Sequence, residues 1–143
     1  MQGKVLALYI TKDDDKKTRE MLQEISLDEK GIIGDKFYAK DTQRAVLITA
    51  IQSYKLTQDS GIELAAGTLG ENILIDINPY HLLPGQRFTI GTTTLEITQN
   101  CTLCKGLSSI NSKLPKLLKN DRGIFAKVIS GSSIIKISDT VEM

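Results

Sequence analysis

Two cysteines, Cys101 and Cys104, bracket Thr102 and Leu103 and are the residues of this chain best suited to sulfur chemistry. A C-x-x-C pair admits three readings. It can supply half of a zinc site, but a structural site wants four ligands. The chain has no second cysteine pair and His81 is its one histidine, so zinc is not expected. It can form a redox dithiol, a motif that normally opens a helix in a βαβ unit. Or the two thiols are simply small apolar side chains in a packed loop. The residues after Cys104 favour chemistry: Lys105 and Gly106 place a cation beside a loop thiol, which eases its ionisation. Thiolate is the form that attacks sulfur, carries it as a persulfide or binds a soft metal.

A second group is Gly67-Thr68-Leu69-Gly70-Glu71-Asn72. Its glycines suit a tight turn whose backbone N–H groups could meet a ligand, with Thr68 and Glu71 beside it. It is no Walker loop, because the Lys-Ser/Thr ending is missing. Asn72 offers donors and acceptors suited to the edge of a pterin ring. Arg44 precedes the apolar run Ala45 to Ile48. A cation there is commonly a rim charge, but it also presents a fork of donors for a phosphate. Gly34-Asp35-Lys36 adds a carboxylate and an amine, and Arg122-Gly123 places another cation just before a strand. His81, between Pro79 and Pro84, reads as structural or exposed.

The elements that must position these residues are mostly strands. Short β-branched runs separated by turn residues predict strands over 5–10, 21–27, 44–49, 72–77, 124–129 and 134–137. On the second of these Met21, Ile25 and Leu27 share a face. Residues 86–90 and 94–98 form a hairpin through Gly91-Thr92, and Gly31 to Asp35 turns the chain. A helix is predicted over 50–58, stopped near Gly61. A second, weakened by Pro115, falls within 109–118. Strands outnumber helices and are closely spaced. That favours a mostly β, β-rich α+β fold: a closed or partly open, mainly antiparallel barrel with a few short helices.

The chain has 143 residues, 41% of them hydrophobic and 24% charged. That suits one globular domain over residues 1–143 with a real core. With aromatics at 5% and no tryptophan, the core must be built from Ile, Leu and Val. A formal charge of +1 gives no electrostatic case for nucleic acid. No apolar run approaches the ~20 residues of a membrane-spanning helix, and the first residues lack a signal-peptide pattern. Two cysteines are too few for a disulfide framework, so a reducing cytoplasm is the expected setting.

The order of these pieces resembles the MOSC family, the domain of molybdenum-cofactor sulfurase C-termini. The matching stretches are Gly31 to Asp35, Arg44 to Ile48, Gly67 to Ile73, Leu83 to Gly91, the cysteine loop, and Arg122 to Val128. They run across nearly the whole chain. The resemblance implies a β-rich barrel that binds a pterin-type molybdenum cofactor, delivers sulfur to metal–sulfur assemblies, or both. One cysteine is the family's key residue, as a persulfide carrier or as a molybdenum ligand. Cys104 is the better positional match and Cys101 the runner-up. Arg44 and Asn72 match the family's arginine and asparagine near the ligand. Lys36, Glu71, Thr68 and Arg122 complete the expected cofactor-binding set. The chain departs from the pattern where many relatives carry a histidine after Gly-Asp, since Lys36-Phe37-Tyr38 follows Asp35, and Ser138-Asp139 replaces a final Gly-Asp. There is no room for a pyridoxal-phosphate domain, so sulfur would arrive from a separate donor protein of the cysteine desulfurase type. Two alternatives stay open: a molybdenum-dependent reductase of N-hydroxylated compounds, and a non-catalytic module that senses or carries the cofactor.

Overall fold

A computed structural model describes residues 1–102, 105–130 and 133–143. Strands run at Gln2–Thr11 (β1), Arg19–Leu22 (β2), Glu24–Asp28 (β3), Gly31–Ile32 (β4) and Val46–Ala50 (β5). They continue at Ile73–Ile75 (β6), Arg87–Ile90 (β7), Thr93–Asn100 (β8), Ile124–Val128 (β9), Ser133–Lys136 (β10) and Thr140–Glu142 (β11). Helices occupy Ile51–Asp59 (α1), Lys105–Ile110 (α2) and Leu114–Leu117 (α3), with a 3-10 turn at Thr42–Arg44.

Seven strands close a ring in the order β1, β11, β7, β8, β9, β5, β6 and back to β1. The β5–β6 step is parallel and the other steps are antiparallel. Closure leaves no unpaired edge around the ring. β2 extends β1, and β10, β3 and β4 form a small second sheet. The mostly antiparallel barrel expected from the spacing of strands is thus present, with one parallel pairing spanned by α1.

Alternation decides what fills it. Val46, Ile48 and Ala50 of β5 point inward with Ile124, Ala126 and Val128 of β9 and with Leu95 and Ile97 of β8. The interior is aliphatic, as the scarcity of aromatics requires. On β1 the inward residues are Val5, Leu8 and Ile10. Val5 and Leu8 are an odd interval apart, so the pleat must slip between them, and a register irregularity falls there. Outward residues Ala7, Tyr9 and Leu74 meet Tyr54 of α1 and Leu107, Leu114 and Leu118 from the later helices. The helices thus lie on the outer wall of the barrel. α1 ends in a Schellman pattern: Ile62 N–H bonds Thr57 O at 2.8 Å and Gly61 N–H bonds Gln58 O at 3.0 Å. Gly61 adopts φ +81 there, which explains the stop read from its position.

Several boundaries differ from the sequence expectation. The strand predicted over 21–27 is two strands broken at Gln23, one serving the barrel and one the second sheet. Met21 is therefore exposed while Ile25 and Leu27 are buried. Arg44 does not lead β5; it ends the 3-10 turn, which Asp41 caps by accepting from Gln43 N–H at 3.0 Å. The helix expected in 109–118 is split into α2 and α3. Pro115 sits in the first turn of α3, where its missing N–H costs nothing.

Candidate functional site

On the outer wall where β5 and β9 pair, Leu47 and Phe125 stand opposite each other and point away from the interior. They pack with Cys101 in a small apolar cluster. Cys101 reaches this spot because β8 carries a bulge between Ile97 and Gln99, beyond which its end runs along β9. Cys101 N–H then donates to Gly123 O at 2.9 Å. These three side chains floor a cavity of about 310 Å³, a size that suits a small organic ligand.

Cations rim this floor. Arg44, presented by the 3-10 turn, lies with its guanidinium carbon 5.9 Å from the centre of the Phe125 ring. Its Nε is 4.0 Å from Asp41 Oδ2, a loose ion pair on a half-exposed side chain. Arg122 also lines the cavity and donates from Nη2 to Leu69 O at 3.2 Å. Arg122 O in turn accepts from Thr49 Oγ1 at 2.9 Å. The next residue, Gly123, lies so close to β5 that a Cβ there would stand 2.9 Å from Ile48 O. A glycine is thus what lets the Arg122 segment dock against the strand. Lys36, anchored by its N–H to Thr11 O at 2.8 Å, completes the rim, with Nζ 4.9 Å from the Phe37 ring centre.

The two carboxylates of the cavity wall are occupied. Asp35 is buried and accepts from Thr11 N–H at 2.8 Å, Phe37 N–H at 3.1 Å and Asn72 Nδ2 at 3.4 Å. Asp41 caps the turn before Arg44. Asp35 is spent largely on the backbone, whereas Asp41 is half exposed with Oδ2 beside Arg44, so the cavity carries three cations against two carboxylates, one of them buried. Asn72 is committed as well. Its Oδ1 accepts from Leu47 N–H at 3.0 Å, and Nδ2 donates to Tyr9 O at 3.2 Å besides Asp35. The side chain expected to read a ring edge is a brace joining β1, β5 and the Asp35 loop.

The glycine turn differs more. Its four N–H groups were expected to face a ligand, but all are used internally. Gly67 and Leu69 N–H donate to the Tyr54 hydroxyl at 3.0 and 3.2 Å. Thr68 and Gly70 N–H donate to Ala65 O and Gly67 O, both at 3.1 Å. Thr68 Oγ1 donates to Ala65 O at 2.6 Å, and Thr68 opens onto a separate depression with Tyr9 and Arg19. Glu71 is wholly buried beneath the turn. Its carboxylate accepts from Tyr54 Oη at 2.6 and 2.8 Å and from Gly67 N–H at 3.1 Å. Neither Thr68 nor Glu71 lines the cavity. Burial and the neighbouring Glu71 push the Tyr54 phenol far above its ordinary range.

Of the predicted residues the fold therefore gathers Arg44, Lys36, Arg122 and Asn72 at one cavity, together with Cys101. Cys104 lies outside the described residues, three positions beyond the cavity floor. His81 lines a different, open depression with Asp76 and Asp121. Leu47, Phe125, Phe37 and Thr11 also form the wall and were not singled out in the sequence. Only strand register could have revealed Leu47 and Phe125. Among the described residues no group of three His, Cys, Asp or Glu side chains is placed to hold a metal ion. No helix of the described residues is long and apolar enough to cross a membrane.

The MOSC domain family model matches residues 24–142. The fold is similar to the YuaD protein of Bacillus subtilis, with a TM-score of 0.84 at 18% identity, covering 99% of this chain and 95% of that one. It is also similar to YiiM of Geobacillus stearothermophilus, with a TM-score of 0.75 at 13% identity over 98% of this chain and 74% of that one. YiiM of Escherichia coli gives a TM-score of 0.74 at 20% identity, covering 99% and 69%. No curated protein matches the sequence. With the family model spanning most of the chain, the chain belongs to the MOSC domain family.

Proposed function

We propose that this protein handles an anionic pterin-type cofactor or the sulfur destined for it, with the cavity as the binding site and the adjoining cysteine loop as the reactive element. The observation that carries the reading is the composition of the cavity. Arg44, Arg122 and Lys36 line it with Leu47, Phe125 and Cys101, three cations against the carboxylates Asp35 and Asp41, of which Asp35 is buried and bonded to backbone N–H groups. Such a set fits a phosphate-bearing planar molecule. Guanidinium groups form charge-assisted hydrogen bonds with phosphate oxygens, and the flat apolar floor suits a ring system. When bound, a molybdenum cofactor supplies redox or sulfur-ligand chemistry at the metal. The residues of this chain bind its anionic group, exclude water on the Phe125 side and bring a thiol near it.

Cys104 is the proposed sulfur carrier. Its thiolate attacks the outer sulfur of a donor persulfide, taking that sulfur as Cys104–S–SH while the donor leaves as a thiol. A separate persulfide donor protein is the implied partner. Loading the purified protein from a persulfide donor and locating the added sulfur by mass spectrometry tests this. Sulfur is expected on Cys104 and lost in Cys104→Ser. Undiminished loading of Cys104→Ser contradicts the carrier role.

A further inference from the structure

We infer that Tyr54, on the far side of the glycine turn from the cavity, is a positioning residue for the anion site, acting through Leu69 O on Arg122. This rests on the reading of the cavity as an anion site. The Tyr54 hydroxyl is the hub of a buried cluster. It donates to the Glu71 carboxylate and accepts from Gly67 and Leu69 N–H. Arg19 closes the same turn from the other side, with Nη2 donating to Gly67 O at 3.0 Å and to Glu71 O. Its guanidinium lies 5.2 Å from the Tyr9 ring centre. The turn is therefore gripped at both its N–H and its carbonyl groups.

One carbonyl of that turn points the other way: Leu69 O accepts from Arg122 Nη2 at 3.2 Å. Leu69 N–H and Leu69 O belong to one residue whose side chain is wholly buried. The peptide planes on its two sides are tied by rotation about a single Cα. Loss of the Tyr54 hydroxyl frees Leu69 N–H and leaves Glu71 short of a donor. The turn then relaxes, and Leu69 O, one of the contacts that orient the Arg122 guanidinium, shifts with it. Binding sites depend on such supporting contacts because a mis-aimed fork of donors gives up its bidentate geometry.

Three observations distinguish this role from ordinary packing. The Tyr54 hydroxyl bonds the turn directly, at Gly67 and Leu69 N–H. Glu71, the residue expected at the ligand, is instead spent on holding that hydroxyl. And Gly67 and Gly70 hold φ +92 and +87, so the turn keeps a shape that L side chains rarely adopt and depends on its hydrogen bonds to persist.

The test is titration with inorganic phosphate at fixed ionic strength, followed by calorimetry, for the unaltered protein and four variants. Tyr54→Phe is expected to weaken binding about five- to tenfold. Thr93→Val is the comparison, since it loses a buried hydroxyl bonded to Ser133 Oγ at 2.8 Å, and neither residue lines the cavity. It should bind within about twofold of the unaltered protein. In an Arg122→Gln background, Tyr54→Phe should change affinity by less than about twofold, because the two act in series. Should Tyr54→Phe fail to fold, Glu71→Gln carries the test, with an expected loss of about two- to threefold. Unchanged affinity in a folded Tyr54→Phe or Glu71→Gln overturns the inference. So does an undiminished further loss on adding Tyr54→Phe to Arg122→Gln. If the unaltered protein binds no phosphate, the anion reading of the cavity fails first, and the inference falls with it.

Discussion

Replacing Asn72 with leucine separates a brace from a ligand contact. The carboxamide holds Leu47 N–H at 3.0 Å, Tyr9 O at 3.2 Å and, more distantly, Asp35 Oδ1 at 3.4 Å, all buried. Leucine fills a similar volume but offers no polar atom. Two backbone groups lose a partner, and each buried unsatisfied group costs about 1–3 kcal/mol. The third contact is too long to count fully. Added apolar burial returns roughly 1 kcal/mol, leaving a net loss of about 3 kcal/mol. With urea m values of about 1–3 kcal/mol/M for small proteins, the unfolding midpoint should fall by roughly 1–3 M. Circular dichroism during urea titration measures it, with m unchanged. A loss below about 1 kcal/mol, less than two stranded groups would cost after that gain, would refute the bracing role.

Other perturbations read other parts of the structure. Asp41→Asn keeps an Asx cap on the turn and removes the negative charge 4.0 Å from Arg44 Nε. Because the pair is half exposed, phosphate affinity should rise only about two- to threefold, measured by calorimetry. Gly123→Ala forces a Cβ to 2.9 Å from Ile48 O and should cost about 1–3 kcal/mol in thermal or urea unfolding. In alkali, burial first of all raises the Tyr54 phenol and pushes Tyr80 up to about 12 from 10.0. Groups with raised folded values stabilise fully below the unfolded value near 10 and lose that contribution as pH climbs through the folded value. Stability should therefore decline from about pH 10 upward, and absorbance at the phenolate band should show the two phenols ionising only as the fold opens.

Strand content was legible because β-branched runs and turn residues repeat along the chain, and the inward faces of β5 and β9 follow from simple alternation. The two short strands Gly31–Ile32 and Thr140–Glu142 were not, because two or three residues carry no periodicity; their pairing partners define them. The split at Gln23 was hidden for a related reason. Leu22 and Ile25 look continuous in sequence, while the sheet each strand joins is set by distant partners. At the site, cations stand out by type and neighbours, and Arg44, Lys36 and Arg122 all line the one cavity. Their relation to Leu47 and Phe125 depends on the pairing of β5 with β9, strands far apart in the sequence. Glu71 and Asn72 share one difficulty. Polar residues beside a glycine turn suggest ligand contact, but once buried they must first satisfy backbone groups, and here that demand absorbs them.

The cationic cavity above Cys101 is proposed to hold the anionic group of a pterin-type ligand. Titration with a phosphorylated pterin, followed by the pterin's own fluorescence, tests it most directly on the unaltered protein and on Arg44→Gln. Saturable binding at one site per chain is predicted, weakened about tenfold or more by Arg44→Gln, since a charge-assisted hydrogen bond is worth about 1.5–3 kcal/mol. The half-exposed Arg44 should leave stability nearly unchanged. Absence of saturable binding, or equal affinity in Arg44→Gln, contradicts the account.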